Sequence, residues 1–305
     1  MTDAPHLPQP VLGQRHSCNR RAGPITYIVK GRGTPVLLIH SINAAASAYE
    51  VRPIWDAAPA GWCVYALDLP GFGHSDRSDR LYDRDLYVDA ILDMLDEIAH
   101  RHGSAPVNAL ALSLSCELLA RATLRARSRL SSLVLVTPTG FQKGASKLTG
   151  PAGATREIPG VHKIVSLPLL RDGLWGALVS RVSIRYFLEK TYGSKEIDES
   201  LLAYDYLTAH QPGARYAPFA FVSGRLFSAD IRRVYEALDL PIWMPHATKG
   251  DFADFSEAAW VDARPNWTRH PFPTGALVHF EQRQAFMAEL EQFGTFSPSP
   301  APGAA

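Results

Sequence analysis

VNALALSLSCELLARATLRARSR, residues 107–129, joins a short apolar run to a longer segment whose apolar residues have helical spacing. The run VNALALS is typical of a buried strand, and CELLARATLRARSR is typical of a helix with one apolar face. Two serines and a cysteine lie at the junction, where small side chains let a strand and a helix approach each other closely. The junction therefore predicts a tight strand-to-helix turn.

Ser113 occupies the position at which such a turn would present an attacking side chain. The residues two positions away on either side, Ala111 and Ser115, are both small, as close packing of the strand on the helix requires. The start of the helix also supplies backbone N–H groups and the positive end of a dipole, which favour an oxyanion beside Ser113. The alternative is that Ser113 is only a small residue that caps the helix.

The alternation of strand and helix patterns continues on both sides of this turn. Upstream, PITYIV, PVLLIH and WCVYALDL are strand-like, and LYVDAILDMLDEIAHRH has helical spacing. Downstream, LSSLVLVTPTG, LPIWMPHA and HPFPTGAL are strand-like, and FEQRQAFMAELEQF predicts the last helix. Apolar strands separated by helices predict an α/β fold, with a mostly parallel central sheet and helices on both faces.

The alternation stops over residues 141–240, which have a helical pattern rich in Tyr, Phe and Leu. We interpret this segment as an insertion into a core formed by residues 24–140 and 241–294. Residues 1–23 are expected to be a flexible N-terminal segment. Residues 295–305, which are rich in Pro and Ala, are expected to be a disordered tail.

Composition excludes several classes of partner. With 31 basic and 30 acidic residues, the net charge of +1 gives no broad field for nucleic acid or an anionic membrane. The three cysteines have no C-x-x-C spacing, which argues against a disulfide framework and a thiolate zinc site. We find no signal-peptide pattern and no apolar run of membrane-spanning length. We therefore expect a cytoplasmic protein that does not insert into membranes, with its oligomeric state left open.

Several separate stretches together resemble the α/β-hydrolase fold superfamily, over about residues 25–293. PVLLIHSINAAASAYEVRPIW resembles its third strand and oxyanion loop, with His40 at the usual histidine and Ser41 at the usual glycine. YALDLPGFGHSDR resembles the loop after its fourth strand, and Ser113 falls at its nucleophile position. The resemblance implies an oxyanion hole made by the backbone N–H groups of Ile42 and Leu114. It also implies that the insertion, residues 141–240, is a helical cap that follows the sixth strand and covers the nucleophile.

The resemblance places the catalytic acid after the seventh strand, in MPHATKGDFADF. The usual Gly-x-x-Asp pattern is altered here to ATKGD, with one additional residue before Asp251. Asp251 is the first candidate for the acid and Asp254 the second. Either carboxylate could instead cap the helix that follows.

The usual histidine motif is also altered, because the chain has GALVHFE where the family has Gly-His-x-x-His-x-Glu. Ala276 occupies the usual catalytic position, and His279 follows three residues later. Three residues are nearly one helical turn, so His279 could lie on the same face and act as a displaced base for Ser113. The alternative is that His279 is structural and that the serine has no base.

The resulting prediction is a serine hydrolase that needs neither a metal nor an organic cofactor. Ser113 would attack an apolar carbonyl substrate of small or medium size, such as an ester, a lactone or a ketone with a scissile carbon–carbon bond, and form an acyl-enzyme. The predicted substrate pocket consists of His40, Ser41, Asn43, Trp175 and Tyr204. The alternative function is a catalytically impaired relative that binds an apolar ligand or a protein partner.

Overall fold

The computed structural model describes residues 5–168 and 170–293, which contain one eight-stranded sheet. Its strands are β1 (Gln14–Arg20), β2 (Gly23–Gly31), β3 (Thr34–Ile39), β4 (Trp62–Asp68), β5 (Val107–Leu112), β6 (Leu130–Val136), β7 (Ile242–Ala247) and β8 (Trp267–Phe272). Their order across the sheet is β1-β2-β4-β3-β5-β6-β7-β8. The β1–β2 and β2–β4 pairs are antiparallel and all other pairs are parallel. The predicted mostly parallel sheet is confirmed.

The described residues form the α-helices α1 (Arg52–Ala57), α2 (Arg84–His102), α3 (Ser115–Arg125), α4 (Val161–Val165), α5 (Arg171–Leu178), α6 (Arg181–Tyr192), α7 (Glu199–Ala209), α8 (Tyr216–Val222), α9 (Ile231–Glu236), α10 (Val278–Glu281) and α11 (Arg283–Gln292). No helix in this part of the chain is both long and apolar enough to cross a bilayer.

Helices cover both faces of the sheet, because alternate side chains along each strand point to opposite faces. On one face, Leu37 and Ala109 belong to a buried cluster with residues of α2, α3 and α9. On the other face, Leu38 and Leu110 belong to a second cluster with residues of α1, α10 and α11. The two-faced covering explains why the central strands are apolar along their whole length.

The ends of α2 show how local sequence sets an element. The Asp83 carboxylate accepts a hydrogen bond of 2.9 Å from the Leu86 N–H in the first turn, a cap typically worth about 1 kcal/mol. Gly103 ends the helix with a φ of 66°, a left-handed conformation that favours glycine. These two residues fix the length of the helix that packs beside α3.

The N-terminal segment differs from the expectation of flexibility up to residue 23. Residues Gln14–Arg20 form β1, which pairs along its whole length with β2. Its side chains are mostly exposed, so the hydrophobic pattern gave little signal, and main-chain hydrogen bonding to the edge of the sheet holds the strand. The predicted disordered tail, 295–305, lies outside the described residues.

The segment between β6 and β7 contains the six helices α4 to α9. Its buried side chains include Ile184, Leu188, Leu201 and Leu202, which form a cluster separate from the two on the sheet. Tyr49 and Leu277, from core loops near the carboxyl ends of the strands, belong to the same cluster. The helical segment therefore packs over the end of the sheet at which Ser113 lies.

Candidate active site

Ser113 lies between the end of β5 and the start of α3, and its backbone is in a left-handed conformation with a φ of 51°. Among the described residues, only Ser113 and Thr137 (φ 45°) combine a side chain with a positive φ. Such a conformation costs a residue other than glycine roughly 1–3 kcal/mol and needs support from its surroundings. The support includes the Ser113 N–H, which donates to the Val136 carbonyl at 3.0 Å.

The small neighbours predicted for this turn are buried in it. Ala111 and Ser115 have no exposed surface. The Ser115 hydroxyl donates to the His40 carbonyl oxygen at 2.6 Å, so it is engaged in holding the loop after β3. Cys116 is also buried, and its thiol donates to the Ala111 carbonyl. Ser113 lines a cavity to which Ser115 and Cys116 do not contribute.

This cavity has a volume of about 320 Å³ and lies between the sheet and the helical segment. The core contributes Ser41, Ile42, Leu114, Ala276 and Leu277, among others. The helical segment contributes Leu188, Thr191, Leu201, Phe221 and Phe227. The lining is mostly apolar, as a pocket for a small apolar ligand requires. We call it the Ser113 cavity.

The two residues predicted to form the oxyanion hole both line the Ser113 cavity. Within the described chain, neither the Ile42 N–H nor the Leu114 N–H donates a hydrogen bond. Leu114 is the N-cap of α3, and no side chain caps that helix. Neither N–H group therefore has an acceptor among the described residues.

The loop that carries Ile42 is braced by Glu50, a buried residue that sequence reasoning missed. One carboxylate oxygen of Glu50 accepts from the Ser41 N–H at 2.7 Å. The other accepts from the Ser41 hydroxyl at 3.0 Å and from the Asn43 amide at 2.8 Å. Ser41 and Asn43 thus line the cavity as predicted, but their polar groups point to Glu50. The only sequence signal was a charged residue within the small and apolar run AAASAYEV.

His279 lies outside the Ser113 cavity. Its Nε2 is 2.7 Å from the Glu50 carbonyl oxygen, and because that oxygen can only accept, Nε2 carries the hydrogen. The ring is fully buried, its Nδ1 has no hydrogen-bond partner among the described residues, and burial lowers its pKa to about 4.

The structure therefore does not place His279 as a displaced base for Ser113. Ala276 and Leu277, which precede α10, line the cavity, whereas α10 directs the His279 ring towards Glu50 and Phe286. None of the described residues that line the cavity is a histidine.

Both acid candidates follow β7 and line the Ser113 cavity. The Asp251 side chain is 56% exposed and pairs with Lys190, with 3.1 Å between Oδ2 and Nζ. Asp254 accepts hydrogen bonds from the Lys143 N–H and from both the N–H and the hydroxyl of Ser256, and these bonds lower its pKa. The structure thus brings both carboxylates to the cavity but gives neither of them an imidazole.

Three of the predicted pocket residues do not line the Ser113 cavity. The buried His40 ring donates through Nδ1 to the Ser41 carbonyl and accepts through Nε2 from the Leu69 N–H, which ties two loops together. Tyr204 stacks on Tyr49, with 4.5 Å between ring centroids.

Trp175 packs edge-to-face on Phe219. Trp175 and Tyr204 therefore contribute to packing within the helical segment and against the core loops. Among the aromatic residues of the helical segment, Phe221 and Phe227 line the cavity.

Comparisons with known proteins agree with this architecture. No curated protein matches the chain. Among solved structures, a mutant of the meta-cleavage product hydrolase CumD superposes with a TM-score of 0.70 at 19% identity, covering 92% of this chain and 97% of that one. An esterase from Exiguobacterium antarcticum gives a TM-score of 0.68 at 17% identity, covering 92% and 98%. A bromoperoxidase from Bacillus anthracis gives a TM-score of 0.68 at 16% identity, covering 92% of this chain and 99% of that one.

These structures are similar to this chain in fold, and at such low sequence identity the similarity shows the fold alone. The family defined by the alpha/beta hydrolase fold matches residues 34–232, which span β3 to α9 and include the Ser113 turn. That match covers more than half of the sequence. The chain therefore belongs to the alpha/beta hydrolase fold family.

Proposed function

We propose that this chain is a hydrolase of small or medium apolar carbonyl compounds, with Ser113 as its nucleophile. The observation that carries the proposal is the left-handed backbone of Ser113, with a φ of 51°, inside a mostly apolar cavity. A strained residue that carries a side chain persists where the fold fixes it, and such residues concentrate at active sites. The unused N–H groups of Ile42 and Leu114 supply the two donors that a developing oxyanion needs.

Asp251 is our candidate for the proton acceptor. The carboxylates that line the cavity are Glu50, Asp251 and Asp254. Glu50 and Asp254 each accept three hydrogen bonds within the described chain, whereas Asp251 has only its pair with Lys190. Asp251 therefore keeps the most acceptor capacity for a proton from Ser113.

In the proposed reaction, Ser113 Oγ bonds to the carbonyl carbon and the electron pair of the C=O bond moves onto its oxygen. The hydroxyl proton passes to Asp251. Collapse of the tetrahedral intermediate breaks the bond to the leaving group, which takes up that proton. Water then attacks the acyl-enzyme in the same manner and releases the acid. A carboxylate is a weaker base than an imidazole, so we expect turnover to be slow.

Intact-mass analysis and peptide mapping after incubation with a fluorophosphonate test the nucleophile. We expect one adduct, on Ser113, and its loss in Ser113→Ala. Ser115→Ala is the matched control, because the Ser115 hydroxyl is buried and bound to the His40 carbonyl. An adduct that persists in Ser113→Ala would reject Ser113 as the nucleophile.

A pair of acid variants tests the proton acceptor. Removing a general base typically lowers the rate by about 10²–10⁴-fold. We therefore expect Asp251→Asn to slow hydrolysis of an apolar ester at neutral pH by at least about a hundredfold. Asp254→Asn, in the same loop, should have a much smaller effect. Equal losses in the two variants would contradict the assignment to Asp251.

A second candidate function is the binding of an apolar ligand without turnover. Ala276 favours it, because this residue lines the cavity at the position where the family usually has its catalytic histidine. Folded protein that forms no fluorophosphonate adduct and hydrolyses no ester would favour this function over the first.

A further inference from the structure

A second cavity lies beside the Ser113 cavity and has a volume of about 300 Å³. The two cavities share five lining residues, Asn43, Leu188, Thr191, Phe221 and Phe252. The second one extends into the helical segment and is lined there by Leu178, Ile184, Phe187 and Val222. These shared residues place it directly next to the space in front of Ser113. We call it the cap cavity.

Asp205 in α7 is the only acidic residue among those that line the cap cavity within the described chain. The residue is 4% exposed, and its Oδ1 has no hydrogen-bond partner among the described residues. No basic side chain in this part of the chain forms an ion pair with it. A buried polar atom without a partner costs about 1–3 kcal/mol, and a hydrogen bond from a ligand in the cavity would remove that cost.

The surroundings of Asp205 favour its neutral, protonated form. Burial in a mostly hydrocarbon cavity is the main cause that raises its pKa well above the ordinary value, and the nearby charges of Glu50 and Asp198 raise it further. A protonated carboxyl both donates and accepts a hydrogen bond, as a hydroxyl group does. An uncharged polar group of a ligand therefore matches it better than an ammonium does.

We propose that the cap cavity is a subsite for the apolar arm of a ligand that ends in a hydroxyl group, and that Asp205 binds this hydroxyl. This inference rests on the proposed function, because it takes the ligand to be the carbonyl compound whose carbonyl group lies at Ser113. Leu188 and Phe221 line both cavities and contact the hydrocarbon between the two ends. Asp205 selects ligands by their far end.

Binding of straight-chain methyl ketones of increasing length, measured by isothermal titration calorimetry, tests the subsite without turnover. The far end of each ketone is a methyl, a hydroxyl or an ammonium group. At the best chain length we expect the hydroxyl-ended ketone to bind the wild-type chain about tenfold more tightly than the methyl-ended one, the worth of one good hydrogen bond. The ammonium-ended ketone should bind no better than the methyl-ended one.

Three variants separate Asp205 from its surroundings. Asp205→Asn keeps a neutral donor and acceptor and should keep the preference for hydroxyl, whereas Asp205→Leu should lose it and bind the methyl-ended ketone at least as well. Thr191→Val is the matched control in the same cavity, because the Thr191 hydroxyl already donates to the Phe187 carbonyl at 2.8 Å. It should leave the preference unchanged.

Several results would overturn the subsite: no ketone binding, equal binding of the hydroxyl and methyl ends in the wild type, or a preference that survives in Asp205→Leu. A preference for ammonium would mean that Asp205 is charged and would overturn the hydroxyl assignment. A hydroxyl preference in protein that forms no fluorophosphonate adduct would reject the hydrolase and retain the subsite.

Discussion

The two sides of the Ser113 cavity are built differently. On the side of β5 and α3, a strained serine and two small buried neighbours meet within one short turn. Two residues with unused N–H groups, Leu114 in that turn and Ile42 in the loop after β3, line the same cavity. On the side of β7 and β8, Ala276 lines the cavity with a methyl group, and the nearest histidine in sequence, His279, is turned away to bind the Glu50 carbonyl. Under the proposed function the first side binds and attacks a carbonyl, whereas none of the described residues that line the cavity on the second side is a histidine.

The difference shows which parts of such a site can change separately. The serine side depends on backbone geometry, and many packed residues hold that geometry at once. The histidine side depends on the direction of a single side chain at the end of a loop. His279 still acts on the serine side, because its hydrogen bond fixes the backbone of Glu50, whose carboxylate holds the Ser41 loop.

Restoring the missing imidazole should give the largest effect. In Ala276→His, a ring enters a cavity of about 320 Å³ beside Ser113. We expect ester hydrolysis to rise at least about a hundredfold, the usual contribution of a general base. The rate should also gain an inflection near pH 6.5, the ordinary pKa of imidazole. Ala276→Phe has a ring of similar size without a base and controls for bulk; an equal rate in both variants would contradict the comparison.

Removing the Glu50 carboxylate, which braces the loop on the serine side, should give the second largest effect. Glu50→Ala leaves the Ser41 N–H and the Asn43 amide without their acceptor. We expect the free energy of unfolding to fall by roughly 3 kcal/mol, and fluorophosphonate labelling of Ser113 to slow. Urea denaturation measures the first and timed mass spectrometry the second. Glu50→Gln keeps one acceptor oxygen, so its stability and labelling rate should lie between those of the wild type and Glu50→Ala. Unchanged labelling in Glu50→Ala would mean that Glu50 does not support the oxyanion loop.

Sequence alone predicted the strand-to-helix turn at Ser113, because the signals of that turn are local. Small residues at fixed spacing around Ser113, between a strand pattern and a helix pattern, are enough to indicate the turn. The acid candidates also reached the cavity, because Asp251 and Asp254 follow a strand whose carboxyl end faces it.

The errors concern side chains whose direction depends on distant partners. The His40 ring is held by the Leu69 N–H, which follows β4, and Tyr204 stacks on Tyr49, from a core loop. Glu50 and Asp205 were missed because a charged residue in a helical or turn pattern is expected to face solvent. A helical or turn pattern does not show which acidic residue becomes buried when another segment of the chain packs against it.

The buried imidazole should make stability depend on pH. The pKa of His279 is about 4 in the folded chain and about 6.5 when it is unfolded, so between these values the unfolded chain binds more protons and stability falls as pH falls. At pH 5 this ring should remove about 2 kcal/mol relative to neutral pH. His279→Gln and His279→Phe both lack this loss, so their stability deficit against wild type should shrink as pH falls. Deficits that stay constant in urea titrations from pH 7 to pH 5 would contradict the burial of a neutral ring.

The smallest expected effect concerns the strain at the turn itself. Glycine adopts a φ of 51° without the steric cost that a Cβ brings, so Ser113→Gly should be more stable than Ser113→Ala by roughly 1 kcal/mol. Both variants lose the hydroxyl, which makes the comparison one of backbone conformation alone. Ser115→Gly and Ser115→Ala form the matched pair in α3, where the order should reverse because glycine weakens a helix. If glycine is no better than alanine at 113, the turn holds no strain, and its conformation stops being an argument for attack by Ser113.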